Sequence, residues 1–392
     1  MGQFSSFSRS LKWQLSSLLI AVLGFFGLLM VLLNIFRTEI DHSARIQAEV
    51  QNRLLLANID QSLKQAEMLA DAMLAAVASD PDNVDYLAST IPILIKRLGD
   101  PRVIAGGGIW PEPHQLQPGQ SRYSLFWGQN DVGQLEAVSG YNDPEGAGYR
   151  HEEWYVPAKY VQGRDCYWSR SYSDPFTEEP MVTCSKPLRL NQRFWGIITV
   201  DMKLDGIDLL VRHTAAKMSG YAFVIDRNQR VISAPEGVSQ RTANQQGLLQ
   251  SEIFESVSRR YSGGLPAFNL LLQVDESVDQ TAISRFATKI ARDANNISSK
   301  EALRVARYLL DNPVMDEAKS VSVEYDPILK AGAQVKLSYL ANADWYVALS
   351  LPKRVEASAS DAVVWLILFG LLVSFTAIVL LGWLILRRSL QY

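Results

Sequence analysis

The chain has 392 residues, a formal net charge of −3 and an apolar content of 48%. It is therefore longer than one ordinary soluble domain. No run of basic residues is able to follow a phosphate backbone, so nucleic acid is not an expected partner.

Two charge-free apolar runs lie at residues 13–36 and 362–386. Each is long enough to cross a hydrocarbon core of about 30 Å at a rise of about 1.5 Å per residue, so we predict two transmembrane helices. The alternative for the first run is a cleaved signal peptide. Its length, and the lack of a small-residue cleavage pattern before Arg37, argue against that alternative.

Basic residues flank both runs on the side of the chain termini, at Arg9, Lys12, Arg387 and Arg388. By the positive-inside rule, residues 1–12 and 387–392 are expected in the cytoplasm and residues 37–361 outside it. The sequence thus predicts a two-pass membrane protein with a large exported segment.

A long stalk helix is predicted over residues 37–80. Residues 39–79 contain neither Pro nor Gly, and apolar residues recur there at spacings of three and four. This seam comprises Leu56, Ile59, Leu63, Ala66, Ala70, Met73 and Val77. The helix should end at Asp80 because Pro81 cannot continue it. Two uses of the seam stay open, a dimer surface and the packing face of a core helix.

Two α+β units of PAS-like size follow, at residues 81–202 and 203–352. The first has a helix, three strand candidates, a short helix or loop at 151–161, a hairpin and a final apolar strand. Its glycines at 106–108 lack a phosphate-loop context and are expected to allow close strand packing. The second unit has a helix, a small sheet and a helical insertion at 237–318, in which Ser298 and Glu301 form a capping box. Residues 353–361 then link to the second predicted span.

The stretch from Gly148 to Asp201 combines many aromatic side chains with carboxylates. Aromatic faces attract ammonium groups and carboxylates accept their hydrogen bonds, so this mixture predicts a site for a cationic or zwitterionic ligand. The predicted ligand-binding residues are Glu152, Trp154, Tyr155, Trp168, Arg170, Tyr172, Asp174 and Asp201. The alternative is purely structural, with the tryptophans in the core, Asp174 shaping a turn and Asp201 capping a helix.

The only two cysteines, Cys166 and Cys184, both lie in the predicted exported segment. An oxidising compartment permits a disulfide there. A hairpin centred on Pro175 would place the two residues directly opposite each other, at a spacing that suits the bond.

No catalytic, metal or cofactor motif occurs, so we predict no catalytic residues, no metal and no cofactor. The predicted function is a sensor that binds a small molecule. Two alternatives of other classes are a membrane-anchored module that docks an exported protein, and an exported hydrolase that uses Glu152, Glu153 and Asp174 as paired carboxylates.

The order of elements resembles the double Cache (dCache) sensor domains of bacterial chemoreceptors, sensor kinases, diguanylate cyclases and membrane-bound phosphatases. Residues 13–386 carry the resemblance, with the motif GIWPEP at 108–113, Trp154 with Tyr155, the segment 172–174 and Asp201. It implies two PAS-like modules on a long N-terminal helix, with the ligand in the membrane-distal module. It also implies a periplasmic sensor at the inner membrane, and a homodimer formed through the long helix and the spans. The output then belongs to a chemotaxis or cyclic-di-GMP signalling type of receptor.

The sequence departs from the amino-acid-binding subfamily at one position. That subfamily has an arginine two residues before the Trp–Tyr pair, where it grips the ligand carboxylate, and this chain has Glu152 there. A carboxylate cannot hold another carboxylate, so the resemblance preserves the amine half of the site and predicts an amine or amino-acid-like ligand. Because six residues follow Leu386, the cytoplasmic output is expected either beyond Tyr392 or in a separate protein.

Overall fold

The computed structural model describes residues 2–130, 132–163, 166–228, 230–235, 280–311, 319–326, 328–352, 369–376, 378–380, 382–383 and 387. The chain divides into a unit formed by Met1–Ala48 with Lys353–Tyr392 and a compact unit, Glu49–Pro352. Of the helices within the described ranges, none combines the length and apolar content needed to cross a membrane. The spans at 13–36 and 362–386 stay predictions.

The long N-terminal helix, α1, spans Gly2–Ser79 and ends just before Asp80, as expected from Pro81. Ile59, Leu63 and Met73 of the predicted seam are each at most 1% exposed. Side chains that are buried by their own chain are not available to a second copy of it. This part of the seam is therefore the packing face of a core helix, as the second of the two predicted uses has it. Helix α2 follows at Val84–Leu98, where the side chain of Asn83 caps the first turn by accepting the backbone N–H of Tyr86 at 3.0 Å.

The first sheet has seven antiparallel strands in the order β3-β2-β1-β7-β6-β4, and β5 pairs with β6. The strands are β1 Ile104–Pro111, β2 Leu125–Gln129, β3 Leu135–Ala137, β4 Tyr167–Trp168, β5 Tyr172–Ser173, β6 Pro180–Leu190 and β7 Arg193–Lys203.

The glycines of β1 allow the close strand packing that the sequence predicts. A Cβ atom at Gly106 would lie 2.1 Å from the carbonyl oxygen of Trp127, and one at Gly108 would lie 2.7 Å from that of Leu125. Strands β1 and β2 therefore approach each other more closely than any larger residue at these positions would permit.

The second sheet has five antiparallel strands in the order β10-β11-β12-β8-β9. Helix α3, Leu204–Lys217, leads from β7 into it. Its strands are β8 Tyr221–Ile225, β9 Val231–Ser233, β10 Lys319–Asp326, β11 Ala331–Leu340 and β12 Trp345–Pro352. The expected fold class, an α+β chain of antiparallel sheets with a long N-terminal helix, is confirmed. Asp201 lies inside β7 and does not cap α3, whose N-cap is Lys203.

Part of the predicted insertion at 237–318 forms a pair of helices, α4 Gln280–Asp293 and α5 Ser299–Asp311, and residues 236–279 and 312–318 lie outside the described ranges. The predicted capping box is present, since the backbone N–H of Ser298 donates to Glu301 Oε2 at 2.9 Å and the backbone N–H of Glu301 donates to Ser298 Oγ at 3.2 Å. Ile290 and Val305 are fully buried in the same apolar cluster as Trp154, which belongs to the predicted PAS-like unit at 81–202. The helix pair thus packs directly behind the predicted ligand site.

Candidate ligand site

An aromatic cluster surrounds Trp110 at the end of β1. Its ring centroid lies 5.2 Å from that of Phe126, 5.0 Å from Tyr141, 5.3 Å from Tyr149 and 4.7 Å from Trp154. These spacings are typical of tilted and edge-to-face packing, which fixes ring positions as well as burying area. We call these five residues the aromatic cluster. It presents several ring faces beside the carboxylates described next.

Asp174, in the turn between β5 and β6, is 2% exposed and held by four hydrogen bonds. Its Oδ2 accepts the hydroxyl of Tyr141 at 2.7 Å. Its Oδ1 accepts the backbone N–H of Phe176 at 3.0 Å, and both the backbone N–H and the hydroxyl of Thr177 at 2.8 Å and 3.1 Å. Asp174 therefore does shape its turn, and the same carboxylate is joined to the aromatic cluster through Tyr141.

Asp201 on β7 is 3% exposed and lies opposite Thr183 of β6. The hydroxyl of Thr183 donates to Asp201 Oδ1 at 2.8 Å, and the hydroxyl of Tyr172 lies 2.7 Å from Thr183 Oγ1. Burial raises the pKa of Asp201 to about 7, and the nearby Asp174 carboxylate adds to this effect. The chain of hydrogen bonds thus ends on a carboxyl group that titrates near neutral pH.

Glu152 is partly buried, and burial is the main cause that raises its pKa. The Arg170 guanidinium opposes this rise, while the carboxylates of Glu153 and Asp174 reinforce it. Burial, together with the charges of Asp201, Asp174 and Glu152, also raises the pKa of Tyr172. The Asp174 carboxylate raises the pKa of both Glu152 and Asp201, so it lies within electrostatic range of each of them. We call Glu152, Asp174 and Asp201 the acidic cluster.

Tyr155 lies at the far side of the aromatic cluster. Its ring packs 5.7 Å from that of Tyr149, and its hydroxyl donates to Glu112 Oε1 at 3.0 Å. The Lys159 ammonium lies 4.8 Å from the Tyr155 ring centroid and 3.0 Å from Glu112 Oε1. The Tyr155 hydroxyl therefore contacts Glu112, just after β1, and the Tyr155 ring contacts Lys159.

The side-chain hydrogen bonds of Trp168 and Arg170 run to other parts of the chain. Trp168 Nε1 donates to Glu67 Oε1 of α1 at 3.2 Å, and its ring lies 6.0 Å from that of Trp345 in the second sheet. Arg170 Nη1 donates to the carbonyl oxygen of Asn296 at 2.7 Å and to Glu301 Oε1 at 3.1 Å. Of the eight predicted residues, the structure brings together Glu152, Trp154, Tyr172, Asp174 and Asp201.

Two residues that the sequence analysis missed, Tyr141 and Thr183, connect the site. Tyr141 joins Asp174 to the aromatic cluster, and Thr183 joins Tyr172 to Asp201. The sequence around Tyr141 carries no distinguishing signal. Thr183 could have been found from the strand pairing, because β6 places it directly opposite Asp201.

The predicted disulfide between Cys166 and Cys184 is present, with a Cα–Cα distance of 5.2 Å. The predicted register is wrong, because Cys184 pairs directly with Trp168 and the bond is diagonal. The pairing is displaced because the hairpin turn lies between the paired residues Ser173 and Pro180, and is therefore centred after Pro175. The bond ties the short strand β4 to β6, next to Thr183.

A buried network joins β4 to the second sheet. Arg227 Nε donates to Asp344 Oδ2 at 2.9 Å, and Arg227 Nη1 donates to the carbonyl oxygen of Trp168 at 2.8 Å and to the hydroxyl of Tyr167 at 3.2 Å. Tyr167 in turn donates to Glu153 Oε1, one residue from Glu152. This guanidinium is 4% exposed, so its charge is balanced inside the protein.

A groove of about 530 Å³ lies near the end of α2 and is lined by Ile95, Lys96, Gly99, Pro101, Ile104, Gln129, Gly133, Gln134, Leu135 and Glu136. That lining shares no residue with the acidic or aromatic cluster, so we do not assign the ligand to it. Within the described ranges, no group of three or more His, Cys, Asp or Glu side chains is arranged to hold a metal ion.

The first sheet thus carries buried carboxylates and aromatic rings, and it is bonded to the long helix α1 through Trp168 and Lys186. Residues 90–208 match the family model described as the first PDC sensor domain of methyl-accepting chemotaxis protein-like proteins. Over these residues the chain is similar to such a sensor domain, and the resemblance to dCache sensors is confirmed.

One curated relative is the methyl-accepting chemotaxis protein McpC of Bacillus subtilis strain 168, which is 27% identical over 81 residues. The match covers 21% of this chain and 12% of that relative. Among solved structures, a methyl-accepting chemotaxis protein X aligns with a TM-score of 0.48 and 14% identity, over 81% of this chain and 98% of that one. The ligand-binding domain of the Pseudomonas fluorescens chemoreceptor CtaA with L-leucine aligns with a TM-score of 0.42 and 14% identity, over 82% and 97%.

Proposed function

We propose that this chain is the sensor region of a transmembrane receptor that binds a small amine in the module at 81–202. The observation that carries the proposal is the acidic cluster, in which Asp174 and Asp201 are 2% and 3% exposed beside Glu152. Buried carboxylates repel one another and lose hydration, so a cation that enters among them relieves both costs.

The aromatic cluster favours the same kind of ligand. Trp110 and Trp154 are packed beside Tyr141, whose hydroxyl already contacts Asp174. Ring faces attract ammonium groups by cation–π interaction, with a free energy of about 0.5–2 kcal/mol each. A ligand carboxylate would meet Glu152, where the amino-acid-binding pattern has an arginine. The site therefore suits an amine better than an organic acid.

The proposed mechanism is a ligand-biased two-state switch. Asp174 and Asp201 are closed to solvent in the arrangement described here, so a ligand reaches them through a more open one. A ligand that prefers one arrangement by about tenfold shifts the balance by about 1.4 kcal/mol, which is enough to bias a balanced switch.

The membrane topology belongs to the proposal as well. It is supported by the charge-free runs at 13–36 and 362–386, by the basic residues outside them and by the Cys166–Cys184 disulfide, which suits an oxidising compartment. We propose a periplasmic sensor at a bacterial inner membrane that acts as a homodimer on a cytoplasmic output. Alkaline phosphatase fused after residue 203 should be active in cells, and activity only of a cytoplasmic reporter would contradict this topology.

Calorimetry with three probes of similar length tests the ligand class. Butane-1,4-diamine, 4-aminobutanoate and butanedioate carry two ammonium groups, one ammonium with one carboxylate, and two carboxylates. We expect affinity to fall in that order, because each added carboxylate meets the acidic cluster. Tightest binding of butanedioate would refute the proposed ligand class.

A pair of variants locates the binding site. Asp174→Asn keeps the acceptor for the Thr177 backbone and removes the charge, so it should weaken butane-1,4-diamine at least tenfold. Glu145→Gln removes one negative charge from an exposed position of the same unit and should leave the affinity within twofold. Equal effects of the two changes would mean that overall charge, and not this site, attracts the diamine.

A further inference from the structure

The predicted site contains one basic residue, Arg170, and its side chain is bound elsewhere. Its guanidinium is close enough to Glu152 to lower the pKa of that carboxyl, against the dominant effect of burial. Yet Arg170 Nη1 donates to the carbonyl oxygen of Asn296 at 2.7 Å and to Glu301 Oε1 at 3.1 Å. The cation that could neutralise the acidic cluster, or hold a ligand carboxylate, is thus attached to the helix pair α4–α5.

The two carboxylate oxygens of Glu301 accept hydrogen bonds from different groups. Oε1 accepts both Arg170 and Arg230, each at 3.1 Å, and Oε2 accepts the backbone N–H of Ser298 at 2.9 Å. The side chains of Arg170 and Glu301 are 13% and 14% exposed, so solvent screens their ion pair less than it would at the surface. Arginine matches a carboxylate in geometry as well as charge. The Glu301 carboxylate therefore competes strongly with Glu152 and Asp174 for the Arg170 guanidinium.

The helix pair α4–α5 is held in place by buried side chains and by a backbone hydrogen bond. Ala302 and Val305 of α5 are fully buried in the cluster that contains Trp154. The turn between the helices is attached to the residue before Glu152, because the backbone N–H of Asn295 donates to the carbonyl oxygen of His151 at 2.6 Å. Glu301 consequently keeps a defined position relative to the acidic cluster, although it belongs to a distant part of the sequence.

We propose that Glu301 determines the ligand selectivity of the site by binding the Arg170 guanidinium, which would otherwise be free to neutralise Glu152 and Asp174. With Arg170 held on α5, the site stays acidic and selects amines. Released from Glu301, Arg170 can turn toward Glu152 and Asp174, where it repels a second ammonium group and attracts a carboxylate. This inference rests on the proposed ligand class and adds the residue that sets it.

The test compares two probes on the full 392-residue chain by calorimetry. Butane-1,4-diamine and 4-aminobutanoate share one ammonium group and differ in whether the far end is positive or negative. Glu301→Gln keeps an acceptor for Ser298, because glutamine serves in a capping box, and removes the charge that binds Arg170. We expect the ratio of diamine affinity to 4-aminobutanoate affinity to fall at least tenfold.

Two further variants separate selectivity from folding. Ser298→Ala removes a helix cap while leaving the Arg170–Glu301 pair intact, so its affinity ratio should stay within threefold of the original. Arg170→Gln combined with Glu301→Gln should restore the original ratio, because no cation is left to enter the site. If Glu301→Gln alone is unfolded at the assay temperature, Arg170→Gln alone carries the test. A loss of more than tenfold in 4-aminobutanoate affinity would then show that Arg170 already contacts the ligand.

The outcomes separate this inference from the proposed function. A chain that binds neither probe removes the proposed function and the inference with it. Preferential diamine binding with an unchanged ratio in Glu301→Gln leaves the proposed function standing and overturns the role of Glu301. A ratio that falls in Glu301→Gln and recovers in the double variant supports both.

Discussion

Asp201→Asn should make the stability of the protein less dependent on pH. Asp201 is 3% exposed, and its Oδ1 accepts the hydroxyl of Thr183 at 2.8 Å. Asparagine has nearly the same shape and keeps this acceptor, so the change removes the ionisable group with little repacking. The pKa of Asp201 is raised from 3.8 to about 7, chiefly by burial and further by Asp174.

The sign of the effect follows from the direction of this change in pKa. A carboxyl group whose pKa is higher in the folded state favours folding in its protonated form. The folded state therefore loses stability as the pH rises from 3.8 and is fully penalised above about 7. A difference of about three pH units corresponds to about 4 kcal/mol, of which about 3 kcal/mol develops between pH 4.5 and pH 8.

Urea denaturation of residues 49–352, the compact unit, at pH values from 4.5 to 8 measures this effect. The free energy of unfolding of the original protein should fall by about 3 kcal/mol more than that of Asp201→Asn over this range. Asp226, whose pKa burial raises to about 6, titrates with the same sign in both proteins and cancels in the difference. Asp82→Asn, at an exposed position, is the control and should follow the original profile. Parallel profiles for the original protein and Asp201→Asn would refute the argument.

Three other predictions follow from the same contacts. Affinity for butane-1,4-diamine should rise about tenfold from pH 6 to pH 8 as Asp201 ionises, and it should depend less on pH in Asp201→Asn; calorimetry showing equal pH dependence would contradict this. Replacing both Cys166 and Cys184 by alanine should lower the free energy of unfolding by about 3 kcal/mol in urea, and an unchanged midpoint would argue against a formed bond. Arg227→Met leaves a buried carboxylate unpaired and should cost about 3–5 kcal/mol, whereas Arg53→Met, whose side chain is 77% exposed, should leave the urea midpoint unchanged; similar midpoints would disprove the buried pair.

Local chemistry in the sequence was sufficient to predict most of the elements. The end of α1 before Pro81, the helix at Val84–Leu98 and the capping box of Ser298 and Glu301 all depend on residues within one helical turn of each other. The strands of both sheets were found because alternating apolar residues and turn residues mark them directly. Such signals do not require knowledge of what the element packs against.

The composition of the site was predicted in part for a similar reason. Trp154, Tyr172, Asp174 and Asp201 lie within about fifty residues, and the unusual density of aromatic and acidic side chains identified them. For Tyr172, Asp174 and Asp201, proximity in space then follows from the pairing of β5, β6 and β7, which the hairpin pattern already suggested.

Which way each side chain points was decided only by the tertiary structure. The register is shifted by two residues from that of the predicted hairpin, so Cys184 lies opposite Trp168 and not opposite Cys166. Trp168 meets α1 and Arg170 meets α5, and those partners lie 101 and 131 residues away in the sequence. The sequence by itself determined a sensor fold with an aromatic, acidic site. The long-range packing of the helix pair decided that Arg170 is bound by Glu301 of α5, because this depends on contacts between segments that no local pattern connects.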